Sequence, residues 1–344
     1  MGSQFVDFNA DGRIDYLSAT FDGSPHIAFG TKQGFKEPVR LMDKAGERII
    51  IGSVWNYETK KHESLGRSYA DGEVRSERCI SALAFDWDAD GDYDLLLGSY
   101  ENGTLYRQMN EGTNAKPSFT GKNIPVMAGK AKFGLPTKMT TPRLVDWDGD
   151  GDLDLVAGSF GDSYGQTGAG GGVYLARNLG KTGAPAFGKL TILIPPSPKG
   201  HTAPVRPDAG LYPEVVDYDG DGDLDLIVGG YSMWEPKARK LNTEEKALLK
   251  SLREKLAASS QVQREFSKRV RAETSAALNG IDVKSDEARE IRTRIRAKHR
   301  TEMSAQTKDT SRLNKAIHKL VPKKQRQSFV WFYERVDTKA SGSR

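Results

Sequence analysis

Cysteine is almost absent from this 344-residue chain. Cys79 stands alone, which excludes an internal disulfide and leaves the redox compartment unread. It lies in the apolar run RCISALAF and reads as core. No apolar run approaches the roughly 20 residues that a membrane-spanning helix needs. With 37% hydrophobic residues the composition is that of a soluble globular protein. The five histidines, His26, His62, His201, His299 and His318, are scattered and have no repeated partners, so no catalytic constellation emerges. His299 and His318 fall in a basic stretch and read as solvated.

Glycine and aspartate are plentiful, and their placement is regular. DFNADGRIDYLSAT from Asp7, DWDADGDYDLLLGS from Asp86, DWDGDGDLDLVAGS from Asp146 and DYDGDGDLDLIVGG from Asp217 are four versions of one text. Oxygen ligands at positions 1, 3 and 5 of a tight loop converge on one point. A glycine at position 6 permits the sharp turn, the carbonyl at position 7 adds a ligand, and a later carboxylate closes the shell. The first copy offers Asp7, Asn9, Asp11, the carbonyl of Arg13, and Asp15 at position 9. The second offers Asp86, Asp88, Asp90, the carbonyl of Asp92, and Asp94. The third offers Asp146, Asp148, Asp150, the carbonyl of Asp152, and Asp154. The fourth offers Asp217, Asp219, Asp221, the carbonyl of Asp223, and Asp225. Three carboxylates in the first copy, and five in each of the others, fall within nine residues and repel one another unless a cation lies among them. The oxygen-only donor set favours calcium over magnesium or softer metals, up to four ions in all. The first site carries one charge fewer and should be the weakest.

An EF-hand would need Glu at position 12 and a helix on either side. Position 12 is Ser18, Leu97, Ala157 and Val228. Each loop instead leads into a short apolar run ending in a small residue, with period-two alternation, which is a strand signal. Each loop therefore joins two β-strands. A plain Asp-Gly hairpin turn without metal is the competing reading. It accounts for one Asp-Gly pair but not for the crowd of carboxylates.

In tandem, D-x-D-x-D-G-x-x-D-L followed by V-x-G resembles the FG-GAP/VCBS repeats of integrin-α-type β-propellers. The resemblance covers about 250 residues. It implies a mainly β fold, calcium in the loop between two strands of a blade, and an exported protein (periplasmic, cell-surface or secreted). Met1-Gly2-Ser3 runs directly into the first strand. With export expected, a signal peptide would have been removed from this chain.

Each repeat continues beyond its loop. Asn110, Gly112, Pro117 and Phe119 recur as Asn178, Gly180, Pro185 and Phe187, and a looser first version ends at Phe35. Asn102-Gly103 marks a further hairpin turn. Loop-to-loop spacings are 79, 60 and 71 residues; the surplus of the first falls in a polar stretch after Trp55. The count is a small β-propeller of four recognisable blades, starting near residues 5, 84, 144 and 215, or a piece of a larger ring. The glycine run at 168–172 lacks the Lys-Ser/Thr and the helix of a phosphate-binding loop.

After residue 234 the text changes. Asn242 with Glu245 predicts a helix start, and Leu249, Leu252, Leu256, Phe266 and Val270 mark its apolar seam up to Asn279-Gly280. Ser285 starts a second helix, seamed by Ile291, Ile295, Met303, Leu313 and Ile317 and stopped by Pro322. SFVWFYERV, residues 328–336, then restores strand character. Residues 1–234 with 328–344 are thus expected to form the propeller, and 235–327 an inserted antiparallel, coiled-coil-like helical hairpin in the last blade. Residues 235–344 hold 28 basic and 14 acidic residues, leaving 23 and 32 for the remainder out of totals of 51 and 46. The arm is basic, but its charges are interleaved with Glu and lack aromatics, which weighs against nucleic acid.

These readings favour a non-enzymatic, calcium-binding adhesion scaffold for a protein or glycan, with the arm as a second surface for a partner or for self-association. The alternative is a calcium-dependent polysaccharide lyase or hydrolase on the same scaffold.

Overall fold

The computed structural model describes residues 2–56, 61–63, 77–161, 170–197, 202–204, 206–282 and 285–336. The protein is mainly β, with several antiparallel sheets and two long helices. Part of the polar stretch after Trp55, part of the glycine run at 168–172, and His201 lie outside the described residues.

Each acidic text folds as the connection between the first two strands of a sheet. Sheet 1 is β1 (Ser3–Val6), β2 (Asp15–Ala19), β3 (Pro25–Ala28) and β4 (Val39–Arg40). Sheet 2 is β5 (Cys79–Phe85), β6 (Asp94–Ser99), β7 (Leu105–Gln108) and β8 (Ile124–Pro125). Sheet 3 is β9 (Thr141–Val145), β10 (Asp154–Gly158), β11 (Val173–Ala176) and β12 (Thr191–Ile194). Sheet 4 has three strands, β13 (Ala209–Val216), β14 (Asp225–Trp234) and β15 (Gln325–Tyr333).

The four sheets stack face to face in a row. Leu17, Ala19 and Ile27 of sheet 1 meet Leu95 and Leu97 of sheet 2 in one apolar cluster. Leu96 of sheet 2 meets Leu155, Ala157 and Tyr174 of sheet 3 in a second. Val156 of sheet 3 meets Leu226 and Val228 of sheet 4 in a third. In sheets 2 to 4, positions 10 and 12 of the acidic text thus face the preceding sheet, and in sheets 1 to 3 position 11 faces the following one. This corrects the expected alternation for the inner sheets. Asp94–Ser99 and Asp154–Gly158 are buried at every residue, because both faces are covered. In sheet 1, β2 alternates buried and half-buried. Among the described residues no core cluster joins sheet 4 to sheet 1.

The glycines that close the second and third texts have a packing reason. A Cβ on Gly98 would run into the Thr140 carbonyl, and one on Gly158 into the Leu211 carbonyl. The first strand of the next sheet therefore lies directly over the backbone. Side-chain bonds fix the crossing: Ser81 Oγ donates to Thr140 O (2.5 Å) and Thr141 Oγ1 to Leu211 O (2.7 Å). Gln4 exchanges two hydrogen bonds with the Ala84 backbone.

Contacts divide the chain into two compact units, Met1–Trp234 with Arg326–Arg344, and Glu235–Gln325. The second unit is a pair of antiparallel helices, α1 (Thr243–Ala277) and α2 (Asp286–Leu320). Asn242 and Glu245 form a reciprocal capping box, and Ser285 caps α2 through the Ala288 N–H. Leu249, Phe266, Ala288, Ile291, Ile295, Leu313 and Ile317 are buried, whereas Met303, expected in the seam, is exposed. His299 is also a correction. Its side chain is 12% exposed, bonds Glu273 at 2.6 Å and meets the Phe266 ring edge-on. Bonds from Lys298 and then His299 hold the Glu273 carboxyl below its ordinary pKa. No described helix is long and apolar enough to cross a membrane.

Candidate metal centres

The loops build themselves from aspartate–backbone bonds. Position 1 accepts several N–H groups: Asp86 from Asp90 (3.2 Å) and Gly91 (3.1 Å), Asp146 from Gly149 (2.8 Å), Asp150 (3.1 Å) and Gly151 (3.0 Å). Asp7 does the same with Asp11 and Gly12, and Asp217 accepts from Gly222. Position 5 accepts from the N–H of position 7 at 3.0 Å in all four: Asp11 from Arg13, Asp90 from Asp92, Asp150 from Asp152, and Asp221 from Asp223. The curl needs a left-handed residue at position 6, and Gly12, Gly91, Gly151 and Gly222 have φ of 83°, 96°, 91° and 95°.

The result is three carboxylate triads. Asp86, Asp88 and Asp90 bring one oxygen each within 4.8 Å of one another, and Asp146, Asp148, Asp150 and Asp217, Asp219, Asp221 do likewise. That spacing and the all-oxygen donor set fit a hard divalent cation. Loop 1 differs in chemistry: Asn9 replaces one carboxylate, and Arg13 brings its guanidinium to Asp11 at 3.2 Å.

Position 9 sits elsewhere. Asp15, Asp94, Asp154 and Asp225 are at most 1% exposed. One oxygen accepts from position 2, from Phe8 (3.0 Å), Trp87 (3.0 Å), Trp147 (3.2 Å) and Tyr218 (3.2 Å). The other accepts from the chain beyond the sheet's third strand, from Gly30 (2.7 Å), Asn110 (2.6 Å), Asn178 (2.6 Å) and Arg335 (2.8 Å). Each is therefore a clamp tying loop, second strand and third strand together. Its remaining lone pairs leave it able to ligate as well.

Burial raises the Asp94 carboxyl to about 6, against the pull of the Asn110 and Trp87 N–H groups. Burial also raises Asp154, and it raises Asp92 with help from Asp90, Asp88 and Asp86. These are sites short of positive charge.

Three features escape a reading by ligand spacing alone. The recurring asparagine is a turn brace: Asn110 Oδ1 accepts from Gly112 and Ser118, and Asn178 Oδ1 from Gly180 and Ala186. Arg177 pairs with Asp148 and, at 3.4 Å, with Asp154, so loop 3 has a protein cation at its edge. Position 2 is aromatic in every copy, a signal present in the four acidic texts themselves. Phe8 packs on Phe119 of the next sheet (6.5 Å), Trp87 on Phe187 (6.1 Å), and Trp147 lies under the Arg335 guanidinium (5.0 Å).

A family model described as "FG-GAP-like repeat" matches residues 86–157 and again 146–228. The chain carries FG-GAP-type repeats. The two matches span loops 2 to 4, those that have a full carboxylate triad. No curated protein matches. Among solved structures, the FG-GAP-type chain is similar to one titled as the Photorhabdus luminescens Tc holotoxin pore with the TccC3-D651A mutation. Identity is 15% and the TM-score is 0.31, over 66% of this chain and 11% of that one.

Proposed function

We propose that the four sheets are blades of a propeller-type scaffold that is held by calcium and binds a protein or glycan without catalysing a reaction. The reading rests above all on the repetition of one carboxylate triad at the same place in successive sheets. The ligands would be positions 1, 3 and 5, the position 7 carbonyl, and position 9, with Asn9 standing third in loop 1. Bound calcium supplies positive charge that offsets the clustered carboxylates. The chain's own part is to hold those oxygens together before the ion arrives, through the bonds of Asp86, Asp146 and Asp217 to the glycine at position 6.

A cavity of about 540 Å³ between sheets 2 and 3 offers a place for ligand. Its walls include Met109, Val126, Met127 and Phe187, with Asp88 and Arg107 as the charged groups. Arg107 stacks on Trp87 at 4.4 Å, so its guanidinium edge can meet an acceptor. Export to the periplasm, cell surface or medium belongs to the same reading. A glycan and peptide array probed with and without calcium tests it, using Arg107→Ala as control. Calcium-dependent binding weakened by that substitution supports the scaffold. Unsaturated or hydrolysed products from an acidic polysaccharide would replace it with the enzyme reading.

A further inference from the structure

The three junctions inside the chain share one pattern, a position 2 aromatic and a position 11 side chain covered by the next sheet, and each end of the row presents half of it. On the leading side of a sheet stand the position 2 aromatic, the position 11 side chain and a small residue at position 13, Ala19 in sheet 1 and Gly98, Gly158 and Gly229 in sheets 2 to 4. Where another sheet comes next, Phe8, Trp87 and Trp147 are 2%, 7% and 9% exposed, and Leu17, Leu96 and Val156 are fully buried. Among the described residues no sheet follows sheet 4. Tyr218 is 64% exposed, touching only Phe332 of its own sheet at 5.0 Å among the ring contacts described. Ile227 is half-buried, and a Cβ on Gly229 would meet nothing nearer than Tyr212 O at 3.9 Å.

The trailing side shows the complementary lack. Phe119 and Phe187 receive the aromatic of the preceding loop and are 1% and 4% exposed. Phe35 is their equivalent in sheet 1, because the residue after each donates its N–H to the same place: Lys36 to Phe29, Thr120 to Met109, Gly188 to Arg177. Phe35 is 51% exposed and forms a surface cluster with Phe5 and Tyr16.

We infer that the leading face of sheet 4, centred on Tyr218, docks onto the trailing face of sheet 1, centred on Phe35, of a second copy of this chain. Between sheets 3 and 4 the Arg335 guanidinium takes the place of an aromatic; the contact between copies continues the row with the packing that joins sheets 1 to 2 and 2 to 3, where an aromatic receives the position 2 ring. It is heterologous, so it propagates head to tail until a ring closes. The inference rests on reading the sheets as blades, not on the identity of the ion.

Sedimentation of the full chain in calcium, over a hundredfold concentration range, tests it. The expected result is mass-action association beyond the monomer. Tyr218→Asp and Phe35→Asp should each weaken self-association at least tenfold with an unchanged melting temperature. An equimolar mixture of the two should form dimers and stop there, since each dimer uses one intact face from either partner. Phe332→Asp and Phe5→Asp serve if a first variant fails to fold. A chain that stays monomeric throughout, as cis closure of the ring would require, overturns the inference, as do variants that associate like the parent or a mixture that does not pair. A parallel run in chelator separates the two readings: association with no calcium-dependent melting would sink the metal proposal alone.

Discussion

Two kinds of aspartate share each loop, and they should fail differently. Asp148 gathers charge and makes only a partly exposed ion pair with Arg177, a contact of small worth, whereas Asp154 holds two buried N–H groups. Leaving those without an acceptor costs about 3 kcal/mol. In chelator, Asp154→Ala should therefore lower the melting temperature by several degrees while Asp148→Ala leaves it nearly unchanged. In calcium, both should destabilise. Equal effects in chelator would refute the division. Acidity adds a second check. Asp94, raised to about 6, takes up its proton more readily folded than unfolded, so the metal-free protein gains from it as pH falls from about 6 toward the ordinary carboxyl range. Calcium needs the ionised form. The gap between melting temperatures in calcium and in chelator should narrow through that window, by calorimetry at pH 7 and pH 5. The triads were legible because ligand spacing is local. The clamp was not, because the partners of Asp94 and Asp154 lie 16 and 24 residues on.

Among the elements, the helices were the easiest to read. Asn242 with Glu245, and Ser285 with its acidic first turn, mark starts that the backbone obeys. The Glu245 carboxyl is drawn down to about 2, first by Arg239 and then by the Asn242 N–H. Asn242→Ala should cost about 1 kcal/mol of hairpin stability, visible as earlier loss of helical ellipticity. Met303 and His299 were misplaced because a thin apolar seam leaves helix rotation to be set by the partner helix. The strands show the reverse difficulty. DLLLGS and DLVAG are apolar at consecutive positions because sheets lie on both sides, and only the assembled row reveals that.

At the scale of the molecule, repetition disclosed the unit but not how the array ends, since each motif encodes contact with its neighbours and none counts them. Excess chelator should lower the melting temperature if ions hold the loops; superimposable curves would remove calcium from the account. The chain leaves sheet 4 after Trp234 and re-enters at Gln325, on strands that pair. Replacing residues 238–326 by a short Gly-Ser bridge should leave a soluble protein with the same calcium-dependent melting.

The aromatic at position 2 has one more consequence. Because loops 1 to 3 each lean on the sheet after them, losing one sheet strips support from the loop before it. Such a molecule frays from its uncovered ends inward, like a one-dimensional stack with nearest-neighbour coupling. Amides of Leu96 and Val156, in the middle of the row, should be the last to exchange with deuterium.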